Sequence, residues 1–304
     1  MYCLGDVAAF VVNWNNAEET LESVSSLRDF FSPEDIFVVD NGSEKGDLEI
    51  LSNGLGNEIL IRSEENLGYP GGANLAISEI LEREYTKLMS LNNDAKITPD
   101  AVAMLEKALD DESIGMVAPW IIYRDSRKIW YSGGKYYSWL GIARHPGKGS
   151  TLDKRRSDKP LDTGYLCGCC IMFRSSIFES TGLLDDRFFI YSEDIDHSIK
   201  VKSTGLRICT VPSAIVEHGI SVSTGEGPDK HFSDMRAYFY ARNQILLIKW
   251  SSTGVKKIVG IFSQIFLMAP FNFLRMFSEG TLRHWRSYTT GIYHGLRNIH
   301  GPMR

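Results

Sequence analysis

The sequence predicts an α/β fold: a mostly parallel central sheet with helices on its faces and a helical extension at the C-terminus. Three observations predict it. Apolar runs of strand length alternate with segments of helical period through the first half of the chain, the order that builds a parallel sheet. The runs end in polar clusters rich in Asn and Asp. Charge then divides the chain: residues 241–304 hold nine Lys or Arg and one acid, net +8, so in a chain of net charge −5 residues 1–240 carry −13. At 304 residues and 43% hydrophobic content, the chain can bury a sizeable core as one large domain with an appendage.

The elements follow in order. Val7 to Val12 is a buried strand, and a helical segment runs from about Glu18 to Arg28. Ile36 to Val39 is a second strand ending at Asp40-Asn41-Gly42-Ser43, and Ile59 to Ile61 is a third. The segment Asn66-Leu67-Gly68-Tyr69-Pro70-Gly71-Gly72-Ala73-Asn74 reads as a tight loop entering a helix with apolar positions Ala73, Ala76, Ile77, Ile80 and Leu81. Its backbone donors can approach phosphate or sugar. It matches neither the GxGxxG pattern nor GxxxxGK(S/T), which argues against ordinary dehydrogenases and P-loop ATPases. Lys87 to Leu91 returns to strand, and Pro99 opens a further helix through Val102, Leu105 and Leu109.

In a parallel sheet ligands gather beyond the strand C-terminal ends, where Asn13-Trp14-Asn15, Asp40-Asn41 and Asn92-Asn93-Asp94 fall. Asp40 can accept a base N–H, Trp14 can cover a ring, and Asp94 can hold a divalent ion against phosphate oxygens. Each cluster also suits an ordinary turn.

Leu184 to Lys200 crowds acids and a histidine against an aromatic run at a helix start. Ser192 can cap that helix, Glu193 and Asp194 fall in its first turn, and Ile195 and Ile199 give it a buried stripe. A carboxylate held there can take a proton from a hydroxyl group; the plainer reading is that these acids stabilise the helix start. Tyr165 and Cys167–Cys170 precede a buried strand near this segment. Lys154, Arg155 and Arg156 lie in a polar stretch that serves as an acceptor-side loop or as solvated connection, and Arg242-Asn243 neutralises phosphate or joins a surface ion pair. Five cysteines, three of them within four positions, do not form a secreted disulfide framework, and no secretory leader pattern opens the chain.

In the tail, residues 258–274 carry no charge and are flanked by Lys256-Lys257 and Arg275. Seventeen residues interrupted by Gln264, Pro270 and Asn272 are short for a membrane span. A basic amphipathic segment on an anionic membrane surface fits better, with pairing of two copies through the tail as the alternative. No nucleic-acid recognition motif accompanies the charge.

Together the segments VVNWN at 11–15, VVDNGS at 38–43, NLGYPGGAN at 66–74, LNNDA at 91–95, CGCCIMFR at 167–174 and FFIYSEDIDHSIK at 188–200 resemble the inverting family-2 glycosyltransferases of GT-A fold, especially the rhamnosyltransferase-like branch. The resemblance implies a GT-A catalytic domain over 1–240, its nucleotide-binding part about 1–95 and its acceptor side about 96–240, followed by the basic amphipathic helical tail 241–304. By resemblance, Val12 and Trp14 line the nucleotide base, Asp40 with Asn41 recognises it, and Asn66, Gly68, Gly71, Asn74, Asn92 and Asn93 complete the donor site. Asp94 matches the last acid of the family's DxD motif, whose first acid is Asn92 here. His218 resembles a later histidine that approaches the metal or diphosphate.

Glu193-Asp194 resembles the ED motif, with Asp194 as base. The implied reaction moves a hexosyl or deoxyhexosyl group, rhamnosyl first among them, from a nucleotide diphosphate sugar to a hydroxyl of a glycan or lipid-linked acceptor. Its cofactor is a divalent cation, Mg²⁺ or Mn²⁺, and its expected place is the cytoplasm, peripheral on the inner face of the cell membrane. A non-catalytic sugar-nucleotide-binding protein and a membrane-associated structural adaptor are the alternatives.

Overall fold

The computed structural model describes residues 6–152, 157–219 and 233–303; Lys154, Arg155 and Arg156 lie outside the described residues. The first half alternates β1 (Val7–Asn13), α1 (Ala17–Leu27), β2 (Ile36–Asn41), α2 (Lys45–Gly54), β3 (Ile59–Ser63), α3 (Gly68–Glu82) and β4 (Lys87–Leu91). These strands run parallel in the order β4-β1-β2-β3. Apolar runs without alternation need cover on both faces, and β2 is buried along its whole length. Helix α1 supplies part of that cover with Ala17, Thr20, Ser23, Val24 and Leu27, spaced three and four apart.

The chain continues through β5 (Ala95–Ile97), α4 (Pro99–Ala108), β6 (Ile114–Tyr123), β7 (Ile129–Tyr131), β8 (Lys135–Tyr137), β9 (Ile142–Arg144), β10 (Leu161–Asp162), β11 (Cys170–Arg174), α5 (Ile177–Thr181), α6 (Glu193–Ser203) and β12 (Arg207–His218). Here parallel order breaks. β11 lies antiparallel between β4 and β6, while β12 returns parallel to β6. β7 folds back on β6 through a short turn, a connection open only to antiparallel strands.

The glycine-rich segment departs from expectation: it forms the first turns of α3 rather than a loop before it. At Gly68, with φ +74°, a Cβ would stand 2.2 Å from the Phe189 carbonyl oxygen, and at Gly72 it would stand 2.9 Å from Val12 Cγ1. Glycine lets this helix end press onto β1 and the 189 turn.

The tail is α7 (Asp234–Ser251), α8 (Gly254–Ser263), a π-helical turn at Gln264–Met268, α9 (Ala269–Ser278) and α10 (Trp285–Leu296). α10 packs closely on α7 because Gly291 and Gly295 face it; Cβ atoms there would lie 2.3 Å from Tyr238 O and 2.8 Å from Arg242 O. α8, the π turn and α9 form one continuous 25-residue helix, Gly254–Ser278, that contains an 18-residue stretch of mean hydropathy 1.5. Gln264, Pro270 and Asn272 interrupt its apolar character without ending the helix. The π turn opens the backbone just before Pro270, where the ring would otherwise meet a carbonyl one turn back.

Gln264 and Asn272 point inward, donating to Leu140 O at 2.7 Å and to Tyr288 Oη at 2.9 Å. The outward side carries Phe262, Phe266, Phe271, Leu274 and Phe277, all more than half exposed. This helix is amphipathic in the inverse sense, polar toward protein and apolar toward the outside.

Candidate active site

The polar strand ends meet as the parallel topology requires. Asn13 at the end of β1 donates to Asp40 Oδ1 (3.3 Å), Ser43 Oγ (3.1 Å) and Asp47 Oδ2 (2.8 Å), and accepts from Thr20 Oγ1 at 2.7 Å. Asp47 also accepts from Ala17 N at 2.8 Å. This network orients Asp40, which is buried and held only by long bonds, 3.3 Å from Asn13 and 3.4 Å from Ser43 N. Val12 and Trp14 are half-buried beside it. Thr20 and Asp47 escaped the sequence reading, since neither stands at a strand end.

Several expected donor-site residues instead tie the chain to itself. Asn41 donates to Gly68 O (3.0 Å) and Asn66 Oδ1 (3.3 Å) and accepts from Leu67 N (3.1 Å); Asn66 Oδ1 accepts from Gly68 N at 2.8 Å. Tyr69 N donates to Phe189 O at 2.8 Å. The backbone donors at the start of α3 are thus engaged within the chain, which corrects the expectation that they reach phosphate. Gly71 sits against Leu67. Asn74 exchanges both of its amide ends with the Leu184 backbone, at 2.8 and 3.0 Å.

After β4 the chain turns through Asn92, Asn93 and Asp94. Ser23 Oγ holds this turn by donating to Asn93 O at 2.8 Å, and Asn93 Nδ2 reaches Thr20 Oγ1 at 3.3 Å. β5 pairs with the end of β12, Ala95 opposite His218, and Gly219 N donates to Asp94 O at 2.7 Å. His218 Nε2 therefore faces Asp94 Oδ1 at 3.1 Å. Both residues are buried, yet among the described residues neither Asp94 oxygen nor His218 Nε2 has a hydrogen-bond partner of proper geometry.

Orphaned buried acceptors are costly unless something occupies them, and a carboxylate beside an imidazole suits a divalent cation. Among the described residues no third His, Cys, Asp or Glu joins the pair. The residues present fit a cation that takes its remaining ligands from a bound diphosphate and water.

Asn92 N donates to Cys169 O at 2.8 Å, which sets the Asp94 turn beside the start of β11. One residue earlier, Gly168 N donates to Asp194 Oδ2 at 3.0 Å, and Ile195 N donates to Asp194 Oδ1 at 2.8 Å. Asp194 is partly open to solvent and Glu193 is buried beside it, with Glu193 Oε2 unpartnered. A small cavity lined by Phe10, Tyr69, Met116, Phe173 and His197 adjoins both acids. Burial therefore raises Asp194 to about 6, against the two backbone N–H groups that hold it down. Burial, then the Asp194 charge, raises Glu193 to about 8. Near neutrality the pair shares one proton.

The turn before this pair is strained. Phe189, Tyr191 and Ser192 all have positive φ, at +66°, +66° and +77°, a region non-glycine residues avoid. Ser192 makes no side-chain cap, contrary to expectation, because its left-handed backbone turns the hydroxyl away from the α6 N–H groups. Asn243 of α7 holds the turn: its Nδ2 lies 3.1, 2.7 and 2.8 Å from the carbonyl oxygens of Phe188, Ile190 and Tyr191. Arg242 adds a 2.6 Å bond to Phe188 O. Both are fully buried, so neither expectation for them, phosphate contact or surface ion pair, survives. The four described cysteines are free and buried.

The chain has relatives among glycan-building enzymes. The chain is 26% identical over 306 residues, 98% of its length and 93% of the other's, to the low-salt glycan biosynthesis hexosyltransferase Agl10 of Haloferax volcanii. It is 27% identical over 219 residues, 66% of this chain and 71% of that protein, to the N-acetylglucosaminyl-diphospho-decaprenol L-rhamnosyltransferase of Mycobacterium tuberculosis. Among solved structures, the mannosyltransferase PcManGT of Pyrobaculum calidifontis, in complex with GDP-Man and Mn²⁺, superposes with a TM-score of 0.58 at 14% identity, over 96% of this chain and 87% of that one. That likeness shows a GT-A-like α/β fold with a central sheet and a C-terminal helical extension. The glycosyl transferase family 2 model matches residues 8–182, more than half of the sequence, and this chain belongs to that family.

Proposed function

We propose that the protein is an inverting glycosyltransferase that moves a hexosyl or deoxyhexosyl group, rhamnosyl first among them, from a nucleotide diphosphate sugar to a hydroxyl of a glycan or lipid-linked acceptor. One observation carries the reading: a partly exposed, raised-pKa carboxylate, Asp194, is pinned through Gly168 beside the turn bearing the buried Asp94–His218 pair. A base is thereby set beside a place for a diphosphate. Asp194 takes the acceptor hydroxyl proton as that oxygen bonds to the anomeric carbon, and the bond from that carbon to the diphosphate oxygen breaks on the opposite face. The electron pair leaves with the nucleoside diphosphate.

The proton shared with Glu193 leaves one negative charge near the incoming sugar. A Mg²⁺ or Mn²⁺ ion held by Asp94 and His218 would neutralise charge on the departing diphosphate. Val12 and Trp14 cover the base and Asp40 accepts from it, while Asn41, Asn66, Gly68, Gly71, Asn74, Asn92 and Asn93 shape the pocket. In this reading 1–240 is the catalytic unit, divided near residue 95, and 241–304 seats it on the inner face of the cell membrane.

Turnover with a panel of nucleotide diphosphate sugars tests the proposal. Release of nucleoside diphosphate coupled to glycoside formation is the expected result. Donor binding without transfer to any hydroxyl acceptor would make the protein a sugar-nucleotide binder instead.

A further inference from the structure

The β8–β9 hairpin carries a feature the transfer chemistry does not use. Lys135 and Arg144 are directly opposed across its antiparallel ladder, and both are exposed. Like charges in that position are destabilising, and neither side chain meets a carboxylate among the described residues. With Tyr137, His145 and Pro146 they line an open crevice.

Two links give the crevice a place. The His145 ring lies 5.5 Å from Trp130, whose ring lies 4.8 Å from His218, so the crevice opens one aromatic step from the candidate metal pair. On the other side, Gln264 donates to Leu140 O at 2.7 Å and to Gly141 O at 3.0 Å, fastening the hairpin turn to the inverted helix Gly254–Ser278. Trp139 stands half exposed at that turn, as tryptophans do at membrane–water interfaces. The helix cannot be a free span, because its inner side is packed and carries Gln264 and Asn272. Its outer side, flanked by Lys256 and Lys257, suits insertion in the plane of an anionic surface.

We propose that the β8–β9 crevice is a subsite for the phosphate or diphosphate headgroup of a lipid-borne acceptor, and that the outward apolar face of Gly254–Ser278 lies in the same bilayer. The inference rests on the transferase reading and commits its acceptor to a membrane lipid. The cation pair grips the anion, the helix sets its height, and the acceptor's sugar projects from the headgroup toward Asp194.

Co-sedimentation with phosphatidylcholine vesicles containing farnesyl phosphate or farnesol, in EDTA and without donor, tests the site apart from base and metal. The full chain should bind farnesyl phosphate vesicles about thirtyfold better than farnesol vesicles, the scale of two basic side chains near an anionic surface. Lys135→Ala/Arg144→Ala should lose that preference and keep the weaker binding to farnesol vesicles. Phe262→Ser/Phe266→Ser should lose binding to both. Inorganic phosphate that abolishes the preference in wild type but leaves the double basic variant unchanged would support the anion site.

Equal binding of wild type to the two vesicles, or an undiminished preference in the basic variant, would overturn the proposal. So would wild type that binds neither vesicle while the phenylalanine variant turns a dimer into a monomer, since the outward face would then be covered by a second copy. No outcome bears on whether Asp194 is the base, so the two readings fail separately.

Discussion

Replacing Asp194 by Asn should make the protein both inactive and more stable, and the structure sets both magnitudes. Loss of the base removes proton transfer from the acceptor, a contribution of roughly 10²–10⁴-fold. Stability moves the other way. Asp194 is held at about 6 by burial, above the ordinary value of about 3.9, and each pKa unit is worth about 1.4 kcal/mol. Ionised Asp194 at neutral pH therefore costs the fold on the order of 3 kcal/mol.

The sign follows from linkage: the folded state binds the proton more tightly, so stability falls as pH rises from the unfolded value through about 6. An amide carries no such cost, but its single acceptor satisfies only one of the two N–H groups of Gly168 and Ile195, which returns about 1 kcal/mol or more. The net gain is roughly 1–2 kcal/mol at pH 7.5, a rise of a few degrees in Tm for a chain of this size. The gain should vanish below about pH 4, where the native carboxyl is protonated in both states. Thermal unfolding across pH, with transfer measured on the same preparations, checks both halves. An Asn variant that turns over normally, or that is less stable than wild type at neutral pH, would refute the reasoning.

Other perturbations follow from the same geometry. The rate of transfer should rise with pH through about 6 as Asp194 ionises and fall above about 8 as Glu193 follows; Glu193→Gln should keep the acid limb and lose the alkaline fall, and an unchanged profile would remove Glu193 from the site. Asp94→Ala should abolish the Mn²⁺ dependence of donor binding in calorimetry while expression stays normal; equal wild-type affinity in Mg²⁺, Mn²⁺ and EDTA, with undiminished transfer in EDTA, would sink the metal assignment. Asn243→Ala removes one bond each to the carbonyls of Ile190 and Tyr191 and should lower kcat by about 10–100-fold, the scale of a misplaced reacting group, with donor affinity kept. Equal losses in kcat and donor affinity would reduce Asn243 to a purely structural residue.

What the sequence disclosed was local. β1 and β2 open with unbroken apolar runs, β4 is mixed, and their ends are marked by the clusters at Asn13, Asp40 and Asn92, so the sheet could be read from short windows. The position of Glu193 and Asp194 at a helix start was legible for the same reason, since the acids follow an aromatic run directly in sequence. What stayed hidden depends on contacts between distant residues. Asn243 reads as one polar residue in a helix, and its partners lie 52 to 55 positions away.

The donors at the start of α3 look free in sequence because the groups that engage them, Asn41 and the Phe189 carbonyl, come from other elements. Antiparallel β11 carries the same apolar signature as a parallel strand. The inverted face of Gly254–Ser278 was visible as periodicity, but a period does not say which side faces the protein; Gln264 and Asn272 settle that through their bonds.

The central claim is transfer with inversion from a nucleotide diphosphate sugar, with Asp194 as base. Its most direct test is to follow the wild-type reaction by proton NMR with a donor of defined anomeric configuration. The account predicts stoichiometric release of nucleoside diphosphate and a glycoside of opposite configuration at the anomeric carbon, both absent with Asp194→Asn. A product that retains the donor's configuration, or product formed at the wild-type rate by the Asn variant, would contradict it.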